Sequence, residues 1–188
     1  MSRRLHFPEG IMSQPKSPTK NTLGPIVSSE HLASGGLPAL SEIEFGLTML
    51  NHAFSRWIVR CMAAAGVPDL STIDILVLHN INSRNKPKTL ADIALVLNIE
   101  DTHLVTYALK KLERLKLIKS GRRGKEKLVM VTEAGADACA RYKATRESLL
   151  VKSVLATEVS ADSLSEVAAR LRALSGHYDQ AARAAASL

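Results

Sequence analysis

Residues 89 to 131 constrain this chain more than any other stretch, because two short helical patterns there run straight into two strand patterns. Thr89 and Asp92 form a capping signature, and Leu90, Ile93, Ala94 and Leu97 follow at helical spacing until about Asn98. After Ile99-Glu100, Asp101 or Thr102 caps a second helix whose buried stripe is Val105, Ala108, Leu109 and Leu112. Leu117 to Ser120 and Leu128 to Val131 are β-prone runs. Between them stand two glycines and four cations, Arg122, Arg123, Lys125 and Lys127. A helix-turn-helix leading directly into a basic hairpin predicts a winged helix, with Ser120 to Lys127 as the tip of the wing.

The flanking sequence is mostly helical. Residues 1–40 hold five of the seven prolines and lack periodicity, so they read as a flexible arm. Ser41 with Glu44 resembles a capping box opening a helix to about Ala65, and Gly66-Val67-Pro68 ends it. Ser71 with Asp74 opens a helix over about 72–83 that is apolar on more than one side, as a central helix should be. Thr132 caps a long helix expected over about 133–155. A last helix follows from Ser160 or Asp162, with Leu164, Val167, Ala168, Leu171, Leu174 and Tyr178 on one stripe. Such a stripe needs a partner, and a second copy of the chain is the simplest one.

The expected fold class is therefore mainly α with a minor β component: a winged helix-turn-helix DNA-binding region flanked by long dimerisation helices. The divisions are an arm at 1–40, a dimerisation helix at 41–70, the winged region at 71–132 and C-terminal dimerisation helices at 133–188.

Charge says where the partner sits. The chain carries a net +7, and residues 101–127 alone hold nine cations against three acids. That concentration, more than the total, points to double-stranded DNA. A winged helix used only for protein contact, the competing reading, would leave this face nearly neutral. No Gly-rich phosphate loop, metal-ligand spacing or nucleophile–base constellation is present, so neither an enzyme nor a cofactor or metal is expected. Nor is a membrane partner expected, since no run reaches the ~20 apolar residues a span requires. Cys61 and Cys139, far apart in apolar settings, read as core residues of a cytoplasmic protein.

Burying 105, 108, 109 and 112 turns Thr102, His103, Thr106, Tyr107 and Lys110 outward, where short polar side chains can reach base edges in a major groove. Lys110, Lys111, Lys125 and the wing arginines would hold phosphates, with Arg122 or Arg123 entering the adjacent minor groove. His52, Arg56, Trp57 and His79 are candidates for a small-molecule effector pocket, although a plain buried Trp and surface His explain them as well.

The chain resembles MarR-type winged helix-turn-helix transcription regulators over roughly 41–180. The resemblance rests on Val105-Thr106 in the recognition helix, Leu112-Glu113 closing it, Leu117-Ile118 entering the wing, and Val129, Val131-Thr132 and Gly135 leaving it. Lys116 stands where the family often has Gly, Ser120 where it has Arg, and Arg123-Gly124-Lys125 where it has Asp-Arg-Arg. The resemblance implies a homodimer with interlocked first and last helices, a pseudo-palindromic operator, and response to a small phenolic or oxidising signal.

Overall fold

The computed structural model describes residues 24–188, so the first part of the expected arm lies outside the described residues. They divide into two compact units, one ending at Asn51 and one spanning His52–Leu188, and helix α2 (Pro38–Ala64) runs through both.

The first unit shows why the arm is shorter than its composition suggests. A single-turn helix, α1 (Glu30–Ala33), precedes α2. Helix α2 begins at Pro38, a residue whose fixed φ suits a first helical turn, and not at Ser41. Ser41 is buried inside the helix and its hydroxyl donates to the Leu32 carbonyl at 2.7 Å, so it tethers α1 where a cap was expected. The Ile26 N–H donates to Glu42 Oε1 at 2.9 Å and holds the chain further back. Ile43, Met49 and Leu50 on α2 remain exposed.

In the second unit the two expected capping boxes form. Ser71 caps α3 (Thr72–Asn82) and Thr89 caps α4 (Leu90–Leu97), each exchanging hydrogen bonds with an Asp three residues on. Helix α4 ends at Asn98 in the left-handed region, where a short polar side chain is tolerated, and Asp101 caps α5 (Thr102–Arg114). The core lies among α3, α4 and α5 and the C-terminal half of α2. Ile58, Met62, Ile75, Leu78, Ile81, Ile93, Val105 and Leu112 are all fully buried.

Strands β1 (Ile118–Arg123) and β2 (Glu126–Val131) pair antiparallel, with Ile118 opposite Val131 and Arg123 opposite Glu126. Lys88 adds an isolated bridge to Val129 through two backbone hydrogen bonds of 2.9 and 3.0 Å, a pairing the sequence did not announce. The Lys88 ammonium also donates to the Asn80 carbonyl.

The expected long helix after Thr132 runs over 133–155 and contains a π-helical turn. Helix α6 (Glu133–Arg146) passes into a π-helical turn (Glu147–Val151) and then α7 (Lys152–Leu155). Helix α8 (Ala161–Ala185) follows, and no residue of it is buried. None of the described helices is long and apolar enough to cross a membrane.

His79, half-buried on α3, stacks edge-on against Tyr142 of α6 at 4.5 Å between ring centroids. Its Nε2 is buried without a hydrogen-bond partner, and burial lowers its pKa below the ordinary 6.5. The folded state thus keeps the ring neutral while the unfolded chain binds a proton at its ordinary pKa. Stability should be full above 6.5 and decline as pH falls below it. His79→Phe, which keeps a ring against Tyr142, should flatten that decline between about pH 8 and about pH 5.5, read as the shift in urea midpoint.

Candidate nucleic-acid interface

Helix α5 presents four side chains on its outward face. His103, Tyr107, Lys110 and Arg114 are all exposed, and Lys110 Nζ lies 6.0 Å from the centroid of the Tyr107 ring. Thr102 is exposed at the helix start. Thr106 is less free than its position on the helix suggests. It is half-buried, its hydroxyl donates to the Thr102 carbonyl at 2.9 Å, and it lines a cleft of about 140 Å³ with Leu90, Leu109, Lys110, Lys127 and Val129.

The neighbouring lysine behaves differently. Lys111 Nζ sits 2.8 Å from Asp74 Oδ2 and 2.6 Å from the Asp69 carbonyl. Asp74 is only 5% exposed. Lys111, with 31% of its side chain exposed, is thus held in an ion pair and a backbone hydrogen bond that Lys110 does not share.

The wing is a two-residue hairpin turning at Gly124-Lys125. Gly124 has φ of 63° and Lys125 does not share that sign, the pattern of a turn with glycine first. Its cations are unequal. Arg123 is paired with Glu126 across the turn at 3.0 Å, although both are exposed and the pair is weak. Lys127 approaches Glu113 of α5 at 4.0 Å. Arg122 and Lys125 make no ion pair among the described residues and stand exposed. The structure thus joins Lys110 of α5 and Lys127 of the wing on one cleft.

The base of the wing is tied down by the Thr132–Gly135 segment. Thr132 N–H donates to the Leu117 carbonyl at 3.0 Å, and its hydroxyl donates to the Lys116 carbonyl at 2.7 Å while accepting from Gly135 N–H at 3.1 Å. Lys116 itself adopts φ of 57°, which explains why glycine suits that position in the family it resembles.

Of the effector candidates, His79 packs on Tyr142, and Trp57 is half-buried against the same core. His52 and Arg56 are exposed on α2. Burial raises both thiols, Cys139 to about 11, and Cys61 Sγ donates to the Tyr142 carbonyl at 3.6 Å. Neither is poised as a thiolate at neutral pH. Among the described residues no cluster of His, Cys, Asp or Glu could hold a metal ion.

Residues 70–135 match a family model described as a winged helix DNA-binding domain. Among solved structures, the chain is similar to NMB1585, a MarR family regulator from Neisseria meningitidis. They share 18% identity over 76% of this chain and 95% of that one, with a TM-score of 0.60. It is similar to Staphylococcus aureus MepR in its DNA-binding conformation, at 17% identity over 72% and 98% of the two chains and a TM-score of 0.59. It is also similar to reduced AbfR bound to DNA, at 19% identity over 76% and 95% and a TM-score of 0.62. No curated protein sequence matches the chain. The chain carries a winged helix DNA-binding domain. Around that domain its fold is the one seen in MarR family regulators.

Proposed function

We propose that this protein is a homodimeric transcription regulator of the MarR type, without enzymatic activity, that binds a pseudo-palindromic DNA duplex. Each subunit would lay α5 in a major groove and the wing along the flanking backbone, with the two half-sites about ten base pairs apart. The observation that carries the reading is the pairing of an outward α5 face, His103, Tyr107, Lys110 and Arg114, with the unpaired wing cations Arg122 and Lys125. Thr102 and Thr106 supply short side chains at the start of that face, and Arg123 joins the wing contacts if DNA phosphate draws it from Glu126. AbfR is solved bound to DNA and MepR in its DNA-binding conformation, which favours the same partner here. Exposed Leu164 and Val167 on α8, and Met49 and Leu50 on α2, supply apolar surface for a second copy. A DNA partner makes the cytoplasm the expected compartment. Effector response is the least supported element, resting on His79 at Tyr142 and on half-buried Trp57.

Affinity measured against salt concentration tests the reading. Arg122→Ala should weaken binding to operator and scrambled duplex alike and reduce the slope of log affinity against log salt by about one unit. His103→Ala should instead change which bases are preferred, at about 1–3 kcal/mol per good contact, with the slope nearly fixed. Binding independent of salt in the unaltered protein would remove DNA as partner and leave the protein-contact reading.

A further inference from the structure

A charged pair on the side of α5 away from the wing has no place in the DNA contacts above. Asp74 sits at the start of α3, and its carboxylate already accepts the Ser71 N–H at 2.8 Å as half of the capping box. The same Oδ2 receives Lys111 Nζ at 2.8 Å, and that ammonium also donates to the Asp69 carbonyl at 2.6 Å. Asp69 holds the left-handed region, φ 66°, in the corner between α2 and α3. The Asp74 side chain is 7% exposed and the Lys111 side chain 31%, so solvent screens this pair far less than the wing pairs.

Successive helix residues are turned by about 100°, which sets Lys111 on the flank of α5, one step round from the outward Lys110. The opposite flank carries Glu113, which meets Lys127 of the wing at 4.0 Å. The recognition helix is therefore held on both sides of its DNA face, tightly towards the α2–α3 corner and loosely towards the wing.

We infer that the Asp74–Lys111 pair is a positioning clamp that fixes the rotation of α5, so that operator discrimination depends on a lysine that touches no DNA. This rests on the DNA-binding reading above. A buried pair that loses one member leaves an uncompensated charge, and the helix carrying the lost partner gains freedom to turn. Base contacts tolerate such a turn poorly because their hydrogen bonds are directional. Phosphate contacts from long lysines and arginines tolerate it well.

The test compares neighbouring lysines in the full-length chain. Lys111→Met keeps the apolar stem and removes the charge, and Lys110→Met does the same one residue earlier. Affinity for operator and for scrambled duplex is measured against salt, well below each variant's unfolding temperature. Lys110→Met should lower the salt slope by about one unit on both duplexes. Lys111→Met should leave the slope and the scrambled-duplex affinity within about twofold of the original, while operator affinity falls about tenfold. Lys111→Arg should restore discrimination. Asp74→Asn, which retains a side-chain oxygen for the Ser71 cap, should reproduce the Lys111→Met loss. The double variant should lose no more than either single one.

A slope change for Lys111→Met equal to that of Lys110→Met would make Lys111 a phosphate contact and overturn the clamp. So would an unchanged ratio of operator to scrambled affinity in both Lys111→Met and Asp74→Asn. If Lys111→Met does not fold, Asp74→Asn decides the matter alone. An unaltered protein that binds neither duplex removes the DNA reading, and the clamp's role with it.

Discussion

Gly135→Ala is expected to lower the thermal unfolding midpoint by about 10 °C. A Cβ at Gly135 would stand 2.0 Å from the Leu117 carbonyl oxygen and 2.9 Å from Val131 Cγ2. Neither neighbour can step aside cheaply. The first is backbone, and it already accepts the Thr132 N–H at 3.0 Å. Either α6 must lift from the wing base or the start of β1 must shift, at about 3–5 kcal/mol, above the usual range for an overpacked core. Gly176→Ala in α8 is the control, because nothing lies within 4 Å of its Cβ position and alanine favours helix. It should leave the midpoint unchanged or raise it slightly. Scanning calorimetry of the two variants checks the pair, and equal midpoints would show that α6 yields to the methyl group without resistance.

Leu164→Glu combined with Val167→Glu should abolish dimerisation. In the single chain these residues are 47% and 52% exposed, so charges there cost the lone subunit little. Helix α8 buries no residue within the chain, yet Leu164, Val167, Leu171 and Leu174 recur at three- and four-residue steps over about 15 Å of its length. A stripe left that exposed within the chain is stabilised when something covers it. Sedimentation should give about twice the 20.4 kDa chain mass for the unaltered protein and the single mass for the variant. Losing the second subunit also removes the second half-site contact. Affinity for a two-half-site duplex should then fall about 100-fold or more while a single half-site is bound as before. A double variant that stays dimeric would move the interface elsewhere, with exposed Met49 and Leu50 of α2 the next surface to alter.

The winged-helix core was the most legible part of the chain because its signals are local. Ser71-x-x-Asp74 and Thr89-x-x-Asp92 state helix starts within four residues, and both boxes form as read. The hairpin announced itself by two β-prone runs around a glycine-bounded basic tip, and the two strands pair antiparallel. What stayed illegible was relational. Ser41 carries the residue type of a cap, but nothing nearby in sequence says that Leu32 will take its hydroxyl. The bridge from Lys88 to Val129 joins residues far apart in the chain through backbone atoms, which no side-chain pattern reports. The π-helical turn inside the expected 133–155 helix lacks a proline or glycine to mark it. On the recognition helix, periodicity separated inward from outward correctly but could not distinguish Lys110 from Lys111. That distinction required the position of Asp74.

The wing is anchored firmly at one end only. Its root is stitched to the rest of the lobe by Thr132 on Leu117, by Lys88 on Val129 and by the glycine-close approach of α6. Beyond Ser120 the two strands have chiefly each other, and a two-stranded ribbon by itself is marginally stable in water. Such a ribbon would act as a cantilever, its root setting direction and its tip, restrained only by the loose Lys127–Glu113 approach, having the longest reach near Gly124. Arg122 lies close to that tip. Its guanidinium can track grooves of differing width and phosphates of differing position while α5 stays in register. If α5 reads bases as proposed, tolerance to backbone shape and intolerance to base identity would fall to two parts of one small lobe, divided where the stitching stops.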